Sequence, residues 1–243
     1  MTIKRKIRHN RWFQVFIATS LLAVSAIFIG LTVGKKPSEL RKLAPLSFKA
    51  KLRASTVLVR AGHMVGSGVF YRDNYIISAA HVCEEAQGDV DAMRVELYQG
   101  GVTSVKRIVI PPPESESDVC LIELNENLNL YLPKTKLAPD SWFAEGSYIY
   151  VAGFPGGQYY TFRLGRIMSE DVIRIYDEFG IPRFVRTYVA NVKVTPGMSG
   201  GPVVNQKGEL VGTAVWQNLQ GIDEGGLSTL EQIKALLESE GIR

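Results

Sequence analysis

The sequence predicts an all-β protein made of two successive sets of six short strands, with a membrane-spanning helix ahead of them and one helix behind. Three observations carry this reading. From Ser55 onward, short β-rich runs alternate with Gly, Pro, Asn and Asp turns, the texture of an antiparallel sandwich or barrel. No helical periodicity separates the runs, so βαβ units are excluded. Near the amino terminus, 23 consecutive residues carry no charge.

Residues 1–11 form a basic tail with Lys4, Arg5, Lys6, Arg8 and Arg11 and no acid. The uncharged stretch follows as residues 12–34; at about 1.5 Å per residue it spans roughly 34 Å, enough for the hydrocarbon core of a bilayer. A cleaved signal peptide is the alternative, since Val24-Ser25-Ala26 offers small residues. The apolar run, however, continues through Ile27–Leu31, past the ordinary apolar core of such a peptide. The expected arrangement is one uncleaved anchor. Bases flank it on both sides, with Lys35, Lys36, Arg41, Lys42, Lys49, Lys51 and Arg53 following, so charge alone does not orient it. A short basic tail resists translocation while long domains cross largely regardless of charge, which puts the amino terminus in the cytoplasm and the domain on the extracytoplasmic side. Residues 35–53, with Pro37 and Pro45 and little apolar periodicity, read as a basic tether near lipid headgroups.

The first six strands are expected at Ser55–Ala61, Ser67–Tyr71, Tyr75–Ala79, Met93–Tyr98, Val102–Ile110 and Val119–Leu124. A connection around Tyr131–Ser141 leads to the second six, at Ser147–Ala152, Tyr159–Met168, Val172–Tyr176, Arg183–Ala190, Gly201–Asn205 and Glu209–Trp216. Leu227, Leu230, Ile233, Leu236 and Leu237 then recur at helical spacing. Ser228 is placed to cap this helix, Glu231 to complete a capping box and Gly241 to terminate it. Such a helix is expected to pack over a barrel, with a partner-binding helix as the alternative on the same amphipathic pattern.

The net charge of +4 belongs to the tail: without its five bases, 23 Lys and Arg face 24 Asp and Glu. The folded part therefore has no electrostatic footprint for nucleic acid. Cys83 and Cys120 are the only cysteines and permit one bridge at most, and His9, His63 and His81 form no ligand pattern with them. No metal site and no cofactor are expected.

Chemistry concentrates at Gly197-Met198-Ser199-Gly200-Gly201-Pro202. A serine between glycines allows a sharp turn, an exposed hydroxyl and free N–H groups for a developing oxyanion. His81 follows the strand Tyr75–Ala79, and Asp118 opens Val119–Leu124. The order His, Asp, Ser and the strand after the serine both exclude the nucleophile elbow of an α/β-hydrolase esterase, which runs Ser, Asp, His and continues into a helix.

Gly66-Ser67-Gly68-Val69-Phe70, Ala79-Ala80-His81-Val82, Asp118–Ile122, Ala152-Gly153-Phe154-Pro155-Gly156-Gly157, Thr195–Asn205 and Gly208–Gly212 occur in order and at matching spacing. Over about Thr56–Glu240 the chain resembles the trypsin-like (chymotrypsin-fold) serine proteases, most closely their HtrA-type bacterial branch. The resemblance implies an all-β fold of two perpendicular six-stranded antiparallel barrels within residues 54–243: a first barrel at 54–130, a second at 143–226 and a C-terminal helix at 227–240. It implies a catalytic triad of His81, Asp118 and Ser199, an oxyanion hole of the Gly197 and Ser199 N–H groups, and a polypeptide substrate.

Met198 stands where members activated by a new amino terminus keep an aspartate, so zymogen-style activation is not expected. Val215 stands where a serine often supports the aspartate, which implies tuned activity. Lys193 aligns with the base of the primary pocket: pointing inward it would select acidic side chains, pointing outward it is ordinary surface. Together with Thr195, the edge Val215-Trp216-Gln217 is expected to bind extended substrate, with Trp216 either flooring the cleft or filling the barrel. The fold would bring Cys83 and Cys120 together; buried free thiols are the expectation and a bridge the alternative. No PDZ-like domain is expected after the helix, and the sequence sets no oligomeric state. A membrane-anchored serine endopeptidase, lipid-bound through residues 12–34, is the leading reading. A catalytically silent, peptide-binding domain is the alternative.

Overall fold

The computed structural model describes residues 47–176, 182–217 and 223–242. The expected membrane helix at 12–34 lies outside them, and among the described residues no helix is long and apolar enough to cross a bilayer. A helix, α1 (Phe48–Ser55), covers the end of the stretch read as a tether. Ser47 caps it by accepting from the Ala50 N–H at 3.3 Å, and Leu52 and Ala54 are buried. Eight residues are too few for periodicity to announce a helix from sequence.

The first barrel closes in the order β1-β2-β3-β6-β5-β4, with β1 (Thr56–Ala61), β2 (Met64–Arg72), β3 (Tyr75–Ser78), β4 (Met93–Leu97), β5 (Gly101–Val109) and β6 (Cys120–Leu124). A five-residue helix, α2 (Ala80–Glu84), follows β3. The second barrel closes as β10-β11-β12-β9-β8-β7, with β7 (Tyr148–Gly153), β8 (Thr161–Tyr176), β9 (Pro182–Ala190), β10 (Pro202–Asn205), β11 (Leu210–Gln217) and β12 (Gly225–Leu227). All strand pairs within both barrels are antiparallel.

Six strands form the second barrel, as expected, but not the expected six. The run expected at Tyr159–Met168 starts two residues later, at Thr161, and joins Val172–Tyr176 in one strand, β8, of 16 residues. The polar Ser169-Glu170-Asp171 between them reads as a turn, yet it stays paired to β9 beyond a register shift at Ile167/Ser169. The sixth strand is β12, a Gly-Gly-Leu segment with almost no intrinsic strand preference. Close packing selects its glycines: a Cβ on Gly226 would lie 1.5 Å from the Trp216 indole nitrogen.

Each barrel has its own apolar core, around Val57, Phe70, Ile122 and Leu128 in the first and Ile149, Ile167, Val203 and Leu227 in the second. A third cluster joins Leu52, Val69, Ile77 and Leu121 to Val204 and Leu210, and the closing helix α3 (Leu230–Ser239) adds Ile233, Leu236 and Leu237 to it. The helix therefore packs across the seam between barrels, as its apolar stripe predicts. Its cap lies one residue later than expected. Thr229 accepts from the Gln232 N–H, Gln232 reaches back to the Thr229 N–H, and Ser228 instead takes the Thr213 N–H at 2.8 Å. Gly241 ends the helix at φ 68°.

Cys83 and Cys120 are bridged, correcting the expectation of free thiols. Antiparallel pairing of Ser78 with Cys120 brings the segment after β3 against the start of β6, and a Cα separation of 6.5 Å lies within disulfide reach. Spacing in the sequence cannot reveal that register. Closing a 37-residue separation restricts the unfolded chain by about 4 kcal/mol in the chain-entropy account. Reductant should therefore lower stability to chemical denaturation by up to that amount, and a Cys83→Ala/Cys120→Ala variant should show no further response to reductant.

Candidate active site

The segment joining β9 to β10 carries the candidate nucleophile, and neighbouring backbone shapes it. Gly197 and Gly200 have φ of 90° and 81°, conformations that favour glycine. A Cβ on Gly197 would lie 2.4 Å from the Phe154 oxygen, and one on Gly200 2.3 Å from the Ser67 oxygen. The Pro196 carbonyl accepts from the Gly156 N–H at 2.9 Å, and the Met198 carbonyl accepts from the Gly201 N–H at 2.9 Å. With no cis peptide among the described residues, the N–H on the far side of each of these peptide planes points the opposite way. Those are the N–H groups of Gly197 and Ser199, and neither has a backbone acceptor among the described residues. The Met198 side chain is fully buried in the second-barrel core.

The first barrel reaches over this loop through Ser67 on β2. Its N–H donates to the Ser199 carbonyl at 2.7 Å. Its hydroxyl donates to the Gly197 carbonyl at 2.7 Å and accepts from the Phe154 N–H at 2.9 Å. Gly66 makes room, since a Cβ there would lie 3.0 Å from the Ser199 carbonyl oxygen and 2.7 Å from Val82, the residue after His81. The serine loop and the histidine helix thus meet across one glycine.

His81 lies in α2 with its side chain 26% exposed, whereas the Asp118 side chain is wholly buried. The Asp118 carboxylate accepts from the His81 backbone N–H at 2.9 Å and lies 2.7 Å from Nδ1. An ionised carboxylate only accepts, so Nδ1 carries the proton and Nε2 is left as the acceptor. Burial alone would lower the His81 pKa. The Asp118 charge and hydrogen bond outweigh it and, with Glu84 helping and Arg183 opposing, hold the group above 6.5. The Ser199 hydroxyl donates to the Val215 carbonyl at 3.5 Å, a long contact easily given up.

One residue near this pair has no motif to announce it. Arg183, on β9 of the second barrel, pairs with Glu84, three residues after His81, and donates to the Ser117 carbonyl at 2.7 Å, immediately before Asp118. It therefore ties the segments carrying His81 and Asp118 to the second barrel. Ser67 was within reach of sequence reading, because the Gly66-Ser67-Gly68 pattern marks a close backbone approach; Arg183 was not.

Of the expected substrate-facing residues, Lys193 is exposed, with its carbonyl accepting from Arg163. The Thr195 hydroxyl and the Trp216 indole N–H are buried without partners among the described residues. Val215 is nearly buried, at 4% exposure. Trp216 and Gln217 pair with Gly226 and Gly225 of β12.

Residues 66–212 match the model of the trypsin-like peptidase domain. The chain belongs to that family. Among its relatives, a protein of Synechocystis sp. named as a serine protease, HhoB, is 31% identical over 165 residues, covering 65% of this chain and 36% of the relative. A protein of Pseudomonas fulva, named as a DegP-like probable periplasmic serine endoprotease, is 32% identical over 154 residues, covering 63% of this chain and 29% of the relative. The chain thus spans about a third of the length of these curated relatives. The active form of the Rv3671c protease of M. tuberculosis superimposes with a TM-score of 0.67 at 20% identity, covering 84% of this chain and 96% of that one. That likeness establishes the fold. A trypsin-like serine protease domain, with relatives of the HtrA and DegP type, is what this chain contains.

Two measurements check the site's electrostatics and its seam. Titration of His81 by NMR should give a pKa above 6.5, falling to or below 6.5 in Asp118→Asn as burial is left less opposed. Because the folded-state pKa is raised, the pair stabilises the fold below pH about 6.5, and this stabilisation fades as pH rises through the raised value. Ser67→Ala would leave the buried Gly197 carbonyl and Phe154 N–H without their side-chain partner. A loss of about 1–3 kcal/mol is expected in denaturant melts.

Proposed function

We propose that this chain is a membrane-anchored serine endopeptidase that hydrolyses peptide bonds through His81, Asp118 and Ser199. The carrying observation is the His81–Asp118 pair, with Nε2 free to accept, beside a serine loop that leaves two N–H groups without backbone acceptors. Catalysis requires the Ser199 hydroxyl to leave the Val215 carbonyl and donate to Nε2; apo enzymes commonly align these groups only when substrate binds. His81 then takes the hydroxyl proton as oxygen attacks the scissile carbonyl, and returns it to the leaving amine. Asp118 holds the imidazole tautomer and stabilises its charged form. The Gly197 and Ser199 N–H groups receive the oxyanion, each such donor being worth about 3–4 kcal/mol in the transition state.

Extended substrate pairs with the Val215–Gln217 edge, which meets β12 on one side only. Lys193 is exposed, which favours its reading as ordinary surface over the base of a pocket that selects acidic side chains. Residues 12–34 anchor the chain, with the amino terminus cytoplasmic and the domain outside; the Cys83–Cys120 bridge supports an oxidising compartment.

The Ser199 hydroxyl is directed at the Val215 carbonyl, and this favours one competing reading, a silent domain that binds peptides without cleaving them. A fluorophosphonate separates the two. It should label Ser199 covalently, with no label on Ser199→Ala and at least a thousandfold slower labelling of His81→Ala. A folded protein that stays unlabelled is the silent domain. Protease added to intact cells should digest the domain only after the outer barrier is breached or on an exposed surface; protection until the cytoplasm is opened would reverse the orientation.

A further inference from the structure

Outside the site, one surface of the domain concentrates positive charge. Lys51 of α1, Lys134 and Lys136 of the connection between barrels, and Lys207 of the β10–β11 turn line one cavity of about 350 Å³. All four are exposed. Glu209 is the one acid in the lining, and it accepts a hydrogen bond from Asn205 at 2.8 Å. None of the four lysines enters an ion pair among the described residues. In a sequence whose acids and bases nearly balance beyond its basic tail, four lysines to one acid is a local excess.

The backbone holds them there. The Leu210 N–H donates to the Lys136 carbonyl at 2.7 Å, the Ala138 N–H to the Leu210 carbonyl at 2.9 Å, and the Thr135 N–H to the Tyr71 carbonyl at 3.1 Å. Gly208, at φ 81°, lets the Phe48 ring pack against the turn, where a Cβ would lie 2.6 Å from it. Three distant parts of the chain are thus held around one cavity, their lysines outside any ion pair among the described residues, and lysine is a strong point-charge partner for phosphate.

We propose that this face docks on the anionic headgroups of the bilayer that carries residues 12–34, an inference that rests on the anchored reading above. Only 13 residues, 35–47, separate that segment from α1. Even fully extended they reach about 45 Å, which bounds the reach of α1 from a bilayer holding residues 12–34, and they add Lys35, Lys36, Arg41 and Lys42 to the bases of this part of the sequence. Basic side chains within a Debye length of an anionic surface are drawn to it. Docked this way, the domain has a fixed orientation over the lipid.

The test uses the full chain in vesicles of phosphatidylcholine alone, or with phosphatidylglycerol as a third of the lipid. Because both native cysteines are bridged, a Gln206→Cys variant carries a single environment-sensitive fluorophore beside Lys207. Quenching by a headgroup-located quencher should rise at least threefold with phosphatidylglycerol. The rise should be lost in Lys51→Gln/Lys134→Gln/Lys136→Gln/Lys207→Gln and in molar salt, and should persist in millimolar inorganic phosphate, while peptidase activity stays unchanged. Equal quenching in both lipids, or quenching retained by the fourfold variant, overturns the proposal, as does displacement by phosphate, which would mark a soluble-anion site. Alkaline carbonate separates the premises: release from both vesicles overturns the anchored reading and this proposal with it. Retention with lipid-indifferent quenching overturns this proposal alone.

Discussion

Ser67 lies on a strand of the first barrel but directs its N–H and its hydroxyl to the serine loop of the second. Its hydroxyl also accepts from Phe154, so donor and acceptor are both used. The neighbouring glycines are required by the same approach: a side chain at Gly66 or Gly200 would push the Ser199 loop away from Val82 or from the Ser67 carbonyl. The loop's conformation is thereby set from both sides. Gly156 holds the Pro196 carbonyl from the second barrel, Ser67 holds the Gly197 carbonyl from the first, and the two free N–H groups are what remains after those demands are met. The arrangement is costly to form without the partner barrel, because buried carbonyls and N–H groups would lose their partners.

Around His81 the design is electrostatic. A wholly buried carboxylate is tolerated because two N–H groups of one residue point at it. The same carboxylate keeps the imidazole basic despite burial. Arg183 and Glu84 add a second, partly screened pair whose charges act on His81 in opposite directions. Its geometric effect is less ambiguous, since a guanidinium bonded to both Glu84 and the Ser117 carbonyl keeps the segments beside His81 and Asp118 in fixed relation.

What could be read from the sequence was whatever expresses itself locally. Alternating apolar residues located most strands, the glycine pattern located the serine loop, and Leu230, Ile233, Leu236 and Leu237 located the closing helix. The illegible features are those decided by distant partners. β12 has strand geometry because Trp216 needs glycines opposite it. β8 runs through a polar patch because β9 pairs with it throughout. The bridge between Cys83 and Cys120 follows from the β3–β6 register. Ser228 had the right chemistry for a cap, but the buried N–H of Thr213 claimed it first. Arg183 is a surface-type residue by composition, and only the meeting of two barrels gives it its partners.

The covalent link between Cys83 and Cys120 lies wholly within the first barrel, two residues beyond His81 on one side and two beyond Asp118 on the other. The segments carrying His81 and Asp118 are therefore fastened to each other covalently as well as through Arg183, whereas the Ser199 loop meets the first barrel through hydrogen bonds and apolar contact alone. A small slip along the seam would uncouple the serine while leaving both barrels internally intact. Placement of Ser199 beside the His81–Asp118 pair is then a property of the seam, and since the Ser67 hydrogen bonds hold that seam, losing the placement also costs stability.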